Sequence, residues 1–282
     1  MHTALGTWAP FSVLGAVVLL AFAGAKIESR EAEAAHLPPR PSVPAKAAVA
    51  PRPPATDLAN TAVAEPARAS CGDGMLLVEG KYCPNVDQPC RRWLEADGRY
   101  AYFRCAEYGP SRCLSPARKS LRFCIDRDEH TKPNETLPEN DASLVHADSV
   151  CRSEGKRFCR ESEWNFACEG EEMRPYPYGF SRDSTACNAD LTDLVDDEGK
   201  LRDHREASGS HPRCVSPFGV RDMAGNLEEM VARDGPGLTP AMKGAYWQPS
   251  RNHCRAAQTK HDAHYHGAET GFRCCADAPN AD

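Results

Sequence analysis

Fourteen cysteines, all between Cys71 and Cys275, limit what this chain can fold into more than any other feature of its sequence. The count is even. A reducing cytosol would keep these side chains as thiols, so the pattern predicts a disulfide framework formed in an oxidising, extracytoplasmic compartment. Zinc is the rival use for so many cysteines, but zinc sites favour tight Cys-x-x-Cys pairs and none occurs here. The one close pair, Cys274-Cys275, suits neither a zinc knuckle nor an easy mutual disulfide. Aromatic residues make up 7% of the chain and charged residues 26%. That balance predicts a loop-rich fold held by cross-links in place of a large apolar core.

The formal net charge is -6, with both signs mixed and no long basic run, which argues against a nucleic-acid partner. Trp8 to Ala25 is almost purely apolar and ends in Ala23-Gly24-Ala25, small residues suited to signal-peptidase cleavage. No Lys or Arg precedes this run, and it is nearly long enough to span a bilayer, so residues 1–25 read as either a cleaved signal or a membrane anchor. That segment is the only expected contact with a membrane. Residues 26–70 are rich in Ala and Pro, as in Leu37-Pro-Pro-Arg-Pro-Ser-Val-Pro44. Such a composition cannot offset its ordering entropy and predicts a disordered, extended tether. The folded domain is expected over residues 71–282.

Within it, Met75 to Val78 reads as a strand ended by Gly80, and Leu121 to Ile125 as a second. Between them, Cys83, Cys90, Cys105 and Cys113 punctuate an aperiodic polar stretch that predicts a stapled loop excursion. Leu144, Val145, Ala147, Val150 and Cys151 share a helical face, with Gly155 as a stop. A second helix is predicted from Glu161 to Cys168, where Trp164, Ala167 and Cys168 share a face. Beyond Gly170 the chain shows few periodic runs.

Six motifs recur in a fixed order. Gly155-Lys-Arg-Phe-Cys-Arg-Glu-Ser-Glu-Trp-Asn-Phe-Ala-Cys168 resembles the Gly-Lys-Arg-Leu-Pro-Thr-Glu-x-Glu-Trp-Glu-x-x-Cys segment of the formylglycine-generating enzyme (sulfatase-modifying factor) family. Tyr176-Pro-Tyr-Gly179, Cys187-Asn188-Ala189, Phe218 to Met230, Lys243-Gly-Ala-Tyr-Trp247 and Gly271-Phe-Arg-Cys274 are similar to the motifs that follow in that family. Upstream, Phe123-Cys-Ile-Asp-Arg-Asp-Glu129 resembles its Phe-Tyr-x-Asp-x-Tyr-Glu. The resemblance covers most of Met75 to Asp277. It implies an α+β fold, an elaborated C-type-lectin-like domain that is loop-rich and disulfide-stapled.

The resemblance also implies two disulfides, Cys151 to Cys274 and Cys168 to Cys254, and leaves the other ten cysteines unassigned. Family enzymes hold copper(I) through two cysteines just after the Gly-Gly-Ser-Trp turn, and soft thiolates suit that ion. Here the matching stretch, Gln248 to His253, contains no cysteine. Copper and the family's cysteine oxidation are therefore not expected. Calcium is. The resemblance places a first ion on the side chains of Asp222 and Glu229 and the carbonyls of Gly225 and Leu227, and begins a second at Asn188 and the Ala189 carbonyl. The competing reading is that these acids solvate a surface turn shaped by Gly225-Asn226. The family's two Trp around the Glu are replaced by Glu228 and Met230, which alters the expected groove wall.

His253, His261, His264 and His266 fall in the last loop before Gly271. His261, His264 and His266 could hold zinc or copper(II), though no standard motif has this spacing. Asn134-Glu135-Thr136 fits a glycosylation acceptor. Glu161, Glu163 and Asp128 lie in segments whose expected role is structural. Two function classes follow. One is a noncatalytic binding or scaffold domain, stabilised by calcium, with a protein, peptide or glycan ligand. The other is a divergent metal-dependent oxidoreductase, acting on a sulfatase cysteine or using a histidine-bound metal.

Overall fold

The computed structural model describes residues 71–280; the segments 1–25 and 26–70 lie outside them. Two four-stranded sheets and two helices form the body. The first sheet contains β1 (Met75–Tyr82), β6 (Lys119–Asp126), β12 (Cys274–Asp277) and β7 (Arg157–Phe158), in the order β1-β6-β12-β7 and antiparallel throughout. The second contains β10 (Ala257–Gln258), β9 (Pro240–Lys243), β8 (Glu228–Ala232) and β11 (Thr270–Gly271), with β11 joining parallel to β8. Among the described residues no helix is long and apolar enough to cross a membrane. The architecture is α+β, with long ordered loops between short elements.

Helix α1 (Leu144–Ser153) starts where the Ser143 hydroxyl accepts from the His146 amide, 3.1 Å away, and stops before Gly155 at φ 71°. Helix α2 (Glu161–Glu169) is closed at its start by Glu163, whose carboxylate reaches back to the Arg160 amide at 2.8 Å. Gly80, expected to end β1, does not: the strand runs on to Tyr82. The position is needed for close packing instead, because a Cβ there would lie 2.6 Å from Glu171 Oε1 and 3.1 Å from the Phe166 ring.

The region between β1 and β6 is not a plain loop. It holds two ladders, β2 (Val86–Asp87) on β5 (Arg112–Cys113) and β3 (Cys90–Trp93) on β4 (Cys105–Tyr108). Cys83–Cys113 and Cys90–Cys105 staple these nested hairpins. Strands this short carry too few residues for alternation to show in the sequence.

All fourteen cysteines are bonded. Cys151–Cys274 and Cys168–Cys254 are two of the pairs; Cys71–Cys124, Cys159–Cys275 and Cys187–Cys214 complete the set. The adjacent Cys274 and Cys275 reach different partners because neighbouring residues in a strand point to opposite faces. Cys274 meets α1 in a cluster with Leu144, Met230, Met242 and Phe272. Cys275 meets Cys159 in the main core, with Phe123, Ile125, Trp164, Phe166 and Val231. Cys187–Cys214 lies in a third, small cluster. Apolar burial and cross-links thus act in the same places.

Candidate functional site

β8 sorts its side chains by face. Glu229 and Val231 point to the main core, while Met230 and Ala232 join the α1 cluster, with Glu228 on the same side at the strand's open end. Glu228 lines a cavity of about 270 Å³ together with Ala245, Gln248, Ser250 and Gln258. Phe103 from the β3–β4 hairpin and Arg251 form its outer lip. Gln248 and Ser250 belong to the stretch where family enzymes carry their copper cysteines. Met230, expected at the groove wall, is 1% exposed and fills the core instead, since it pairs with Met242 across the β8–β9 ladder.

The cavity floor is acidic. Burial, with the Glu269 charge, pushes the half-buried Glu228 carboxyl up to about 7. Glu269 accepts a 2.8 Å hydrogen bond from the Tyr265 hydroxyl. Burial and these two carboxylates raise Tyr246 to about 12. Sequence reasoning noted Glu228 as a replaced Trp but had no means to pair it with Glu269, forty-one positions on.

Glu229 belongs to a different network. Arg273 donates to both its oxygens, Nη2 to Oε1 at 2.6 Å and Nε to Oε2 at 2.7 Å, and the Trp164 indole donates to Oε2 at 2.9 Å. Arg273 and Glu229 are 1% exposed or less. Two further buried carboxyls stand near: Glu129 is held well above the ordinary carboxylate range by burial and the Glu229 charge, and burial raises Asp222. Glu129 accepts from the Leu227 amide at 3.1 Å and from Asn226 Nδ2.

These contacts bear on calcium. The carboxylate of Glu229 is committed to a guanidinium and an indole, and Asp222 Oδ2 accepts from the Gly209 amide at 2.8 Å. The loops expected to start two separate ion sites instead pack on each other. Asn226 donates its amide to the Asn188 carbonyl at 2.8 Å, and Asn188 Nδ2 donates to Asn226 Oδ1 at 3.0 Å. Gly225 lies so close that a Cβ would sit 2.1 Å from the Asn188 oxygen, with Ala189 also in contact. Both side-chain donors of the expected first ion, Asp222 and Glu229, are thus engaged by protein groups.

The histidines do not converge. His261 stacks on Tyr265 with ring centres 3.6 Å apart, and His266 Nδ1 lies 2.7 Å from Asp141 Oδ1. The His264 amide donates to Asp262 Oδ1. These three line an open cavity of about 480 Å³. His253 is elsewhere: its Nδ1 accepts from the Ala256 amide, and burial beside Lys243, Arg251 and Arg182 pulls it down to about 3, so it is neutral. Among the described residues no three His, Cys, Asp or Glu side chains gather in metal-binding geometry. Two of the three expected rings are engaged separately, His261 by Tyr265 and His266 by Asp141.

Other acids have structural partners. Glu161 faces Lys243 at 3.6 Å, Glu163 pairs with Arg157, and Asp128 with Arg127 and Arg221. Asn134 and Thr136 are exposed. A cavity of about 970 Å³ beside Tyr178 and Phe180 is lined by arginines already paired, Arg213 with Asp183 and Arg182 with Asp190.

A family model described as the sulfatase-modifying factor enzyme 1-like domain matches residues 96–278. Among solved structures, the chain is similar to CarF at 13% identity, over 73% of this chain and 98% of that one, with a TM-score of 0.49. PvdO from Pseudomonas aeruginosa aligns at 16% identity over 72% and 94%, with a TM-score of 0.44. Treponema denticola variable protein 1 aligns at 10% identity over 72% and 99%, also with a TM-score of 0.44. No curated protein matches the chain by sequence.

Proposed function

Since the chain belongs to the family of sulfatase-modifying factor enzyme 1-like domains, we propose that it is a noncatalytic member that uses the family groove to bind a ligand. One observation carries this reading: every cysteine is in a disulfide, so no thiol is left to hold copper(I) or to take part in cysteine oxidation. The residues at the matching position, Gln248 and Ser250, offer amide and hydroxyl groups suited to hydrogen bonding. Glu228 gives the floor an acid that is half ionised near neutral pH.

Seven disulfides suit an oxidising extracytoplasmic environment. The finer address, secreted, periplasmic or tethered through residues 1–25 and the 26–70 linker, is part of the proposal and rests on composition. The test is to titrate the purified protein with copper(I) and to incubate it, with oxygen and reductant, with a cysteine peptide taken from a sulfatase. The expected result is no stoichiometric copper(I) binding and no aldehyde on the peptide. Turnover would overturn the reading.

A further inference from the structure

The groove's outer lip is built from alternating cations and rings. Arg99 sits over the Tyr100 ring at 5.5 Å, Tyr100 lies 6.2 Å from Phe103 at a tilt of 53°, and Arg251 sits over Phe103 at 5.4 Å. Arg99, Tyr100 and Arg251 are exposed, Tyr100 at 59%. Next to them Tyr102, 64% exposed, packs edge-on to Trp93. Single exposed apolar residues are ordinary, but several rings together on one hairpin mark an interaction surface.

The two arginines differ from their neighbours. Arg104 in the same hairpin is tied to Glu95 and Asp190, and Arg182 to Asp190. Arg99 and Arg251 form no side-chain ion pair among the described residues; their guanidiniums touch rings. A guanidinium seated over a ring keeps its in-plane N–H donors for another partner, and those donors match the paired oxygens of a carboxylate or sulfate. The exposed ring faces suit flat apolar surfaces such as the C–H faces of sugars. The adjoining cavity supplies Gln248, Gln258 and Ser250, which donate and accept like hydroxyls do, with Ala245, Ala256 and Ala257 on its walls; the Glu228 carboxyl at its floor keeps the anionic groups at the Arg99 and Arg251 lip. Those walls offer no deep apolar hole for a peptide's aromatic or aliphatic anchor.

We propose that this Arg99–Tyr100–Phe103–Arg251 lip, with the Gln248–Gln258 cavity behind it, binds an anionic polysaccharide through its sulfate or carboxylate groups. The inference rests on the groove being a binding surface. Charge complementarity is local, because the chain as a whole is at -6 and would not attract a polyanion in general.

The test uses the full chain and five probes: dextran sulfate, polygalacturonate, neutral dextran, poly-glutamate and a single-stranded oligothymidine. Binding is followed by calorimetry or surface resonance at rising salt. The expected result is binding of dextran sulfate, polygalacturonate or both, weakening with salt, and none of neutral dextran. The first two arms separate sulfate from carboxylate as the recognised group. Arg99→Ala and Arg251→Ala should each weaken binding about tenfold. Tyr100→Ala should weaken it too, while Arg112→Ala, whose arginine pairs with Asp87, should leave it unchanged. These side chains are exposed, so the variants should fold, which near-UV circular dichroism would verify. Failure to bind either anionic polysaccharide, Arg99 and Arg251 variants that bind as tightly as the parent chain, or tighter binding of poly-glutamate or oligothymidine would overturn the inference. Poly-glutamate or oligothymidine binding would still leave the groove a binding surface, and the copper and peptide assay decides the noncatalytic reading independently.

Discussion

Replacing Lys243 by Met should stabilise the protein at neutral pH. Lys243 is 0% exposed, its ammonium has no hydrogen-bond acceptor among the described residues, and it lies 5.5 Å over the Trp164 ring. Glu161 Oε1, 3.6 Å away, is too far for a good charge-assisted hydrogen bond. Burial pushes the ammonium from an ordinary lysine value of 10.5 down to about 8, after the opposing attraction of Glu161. A gap of about 2.5 in pKa costs roughly 3 kcal/mol while the group stays charged, at 1.36 kcal/mol for each pKa step. The sign follows from proton counting. Between pH 8 and 10.5 the unfolded chain holds a proton that the folded chain has released, so stability rises with pH across that window. Below 8 the whole penalty is present. Methionine has nearly the shape of a neutral lysine, so Lys243→Met should gain up to about 3 kcal/mol at pH 7 and lose the rise between pH 8 and 10.5. Denaturant unfolding with the disulfides intact, from pH 6 to 10.5, reads both effects. No thiol is free to reshuffle bonds at the alkaline end. A Met variant that is less stable at pH 7, or one that keeps the alkaline rise, would refute the reasoning.

Glu229→Gln should destabilise by about 3 kcal/mol, since it strands the buried Arg273 charge; Glu129 and Asp222 stay near enough to take up part of it. Denaturant midpoints compared with the parent protein measure the loss. Gly225→Ala should cost at least about 2 kcal/mol, because φ is +82° and the new Cβ would meet the Asn188 carbonyl at 2.1 Å; a fall in melting temperature checks it. Removing Cys151–Cys274 should cost no more than removing Cys90–Cys105, about 3 kcal/mol, although its cysteines are 123 positions apart against 15, because Cys159–Cys275 already closes all but about ten of those residues. Paired Cys→Ala variants in denaturant titrations would test that order.

The sequence by itself determined the cross-linked character of the domain, both helices, the strands at Met75 and Leu121 and the family. Each rests on local or ordered information: cysteine number, the spacing of Trp164, Ala167 and Cys168, and motifs met in series. It also showed that Gln248 to His253 lacks thiols, since absence of a residue type needs no geometry. Tertiary structure alone decided the rest. Strand alternation sends Cys274 and Cys275 to separate partners, a two-residue matter that spacing cannot resolve. The acids near Asp222 look alike in sequence, yet Glu229 is spent on Arg273 and Glu228 opens to the groove, because adjacent residues of β8 face opposite ways. The histidines cluster along the chain but not in space, where Tyr265 and Asp141 claim two of them. Arg251 gains its place at the lip only because the hairpin carrying Phe103, nearly 150 residues earlier, folds back against it. Contacts between residues so far apart are set by packing, which no local pattern records.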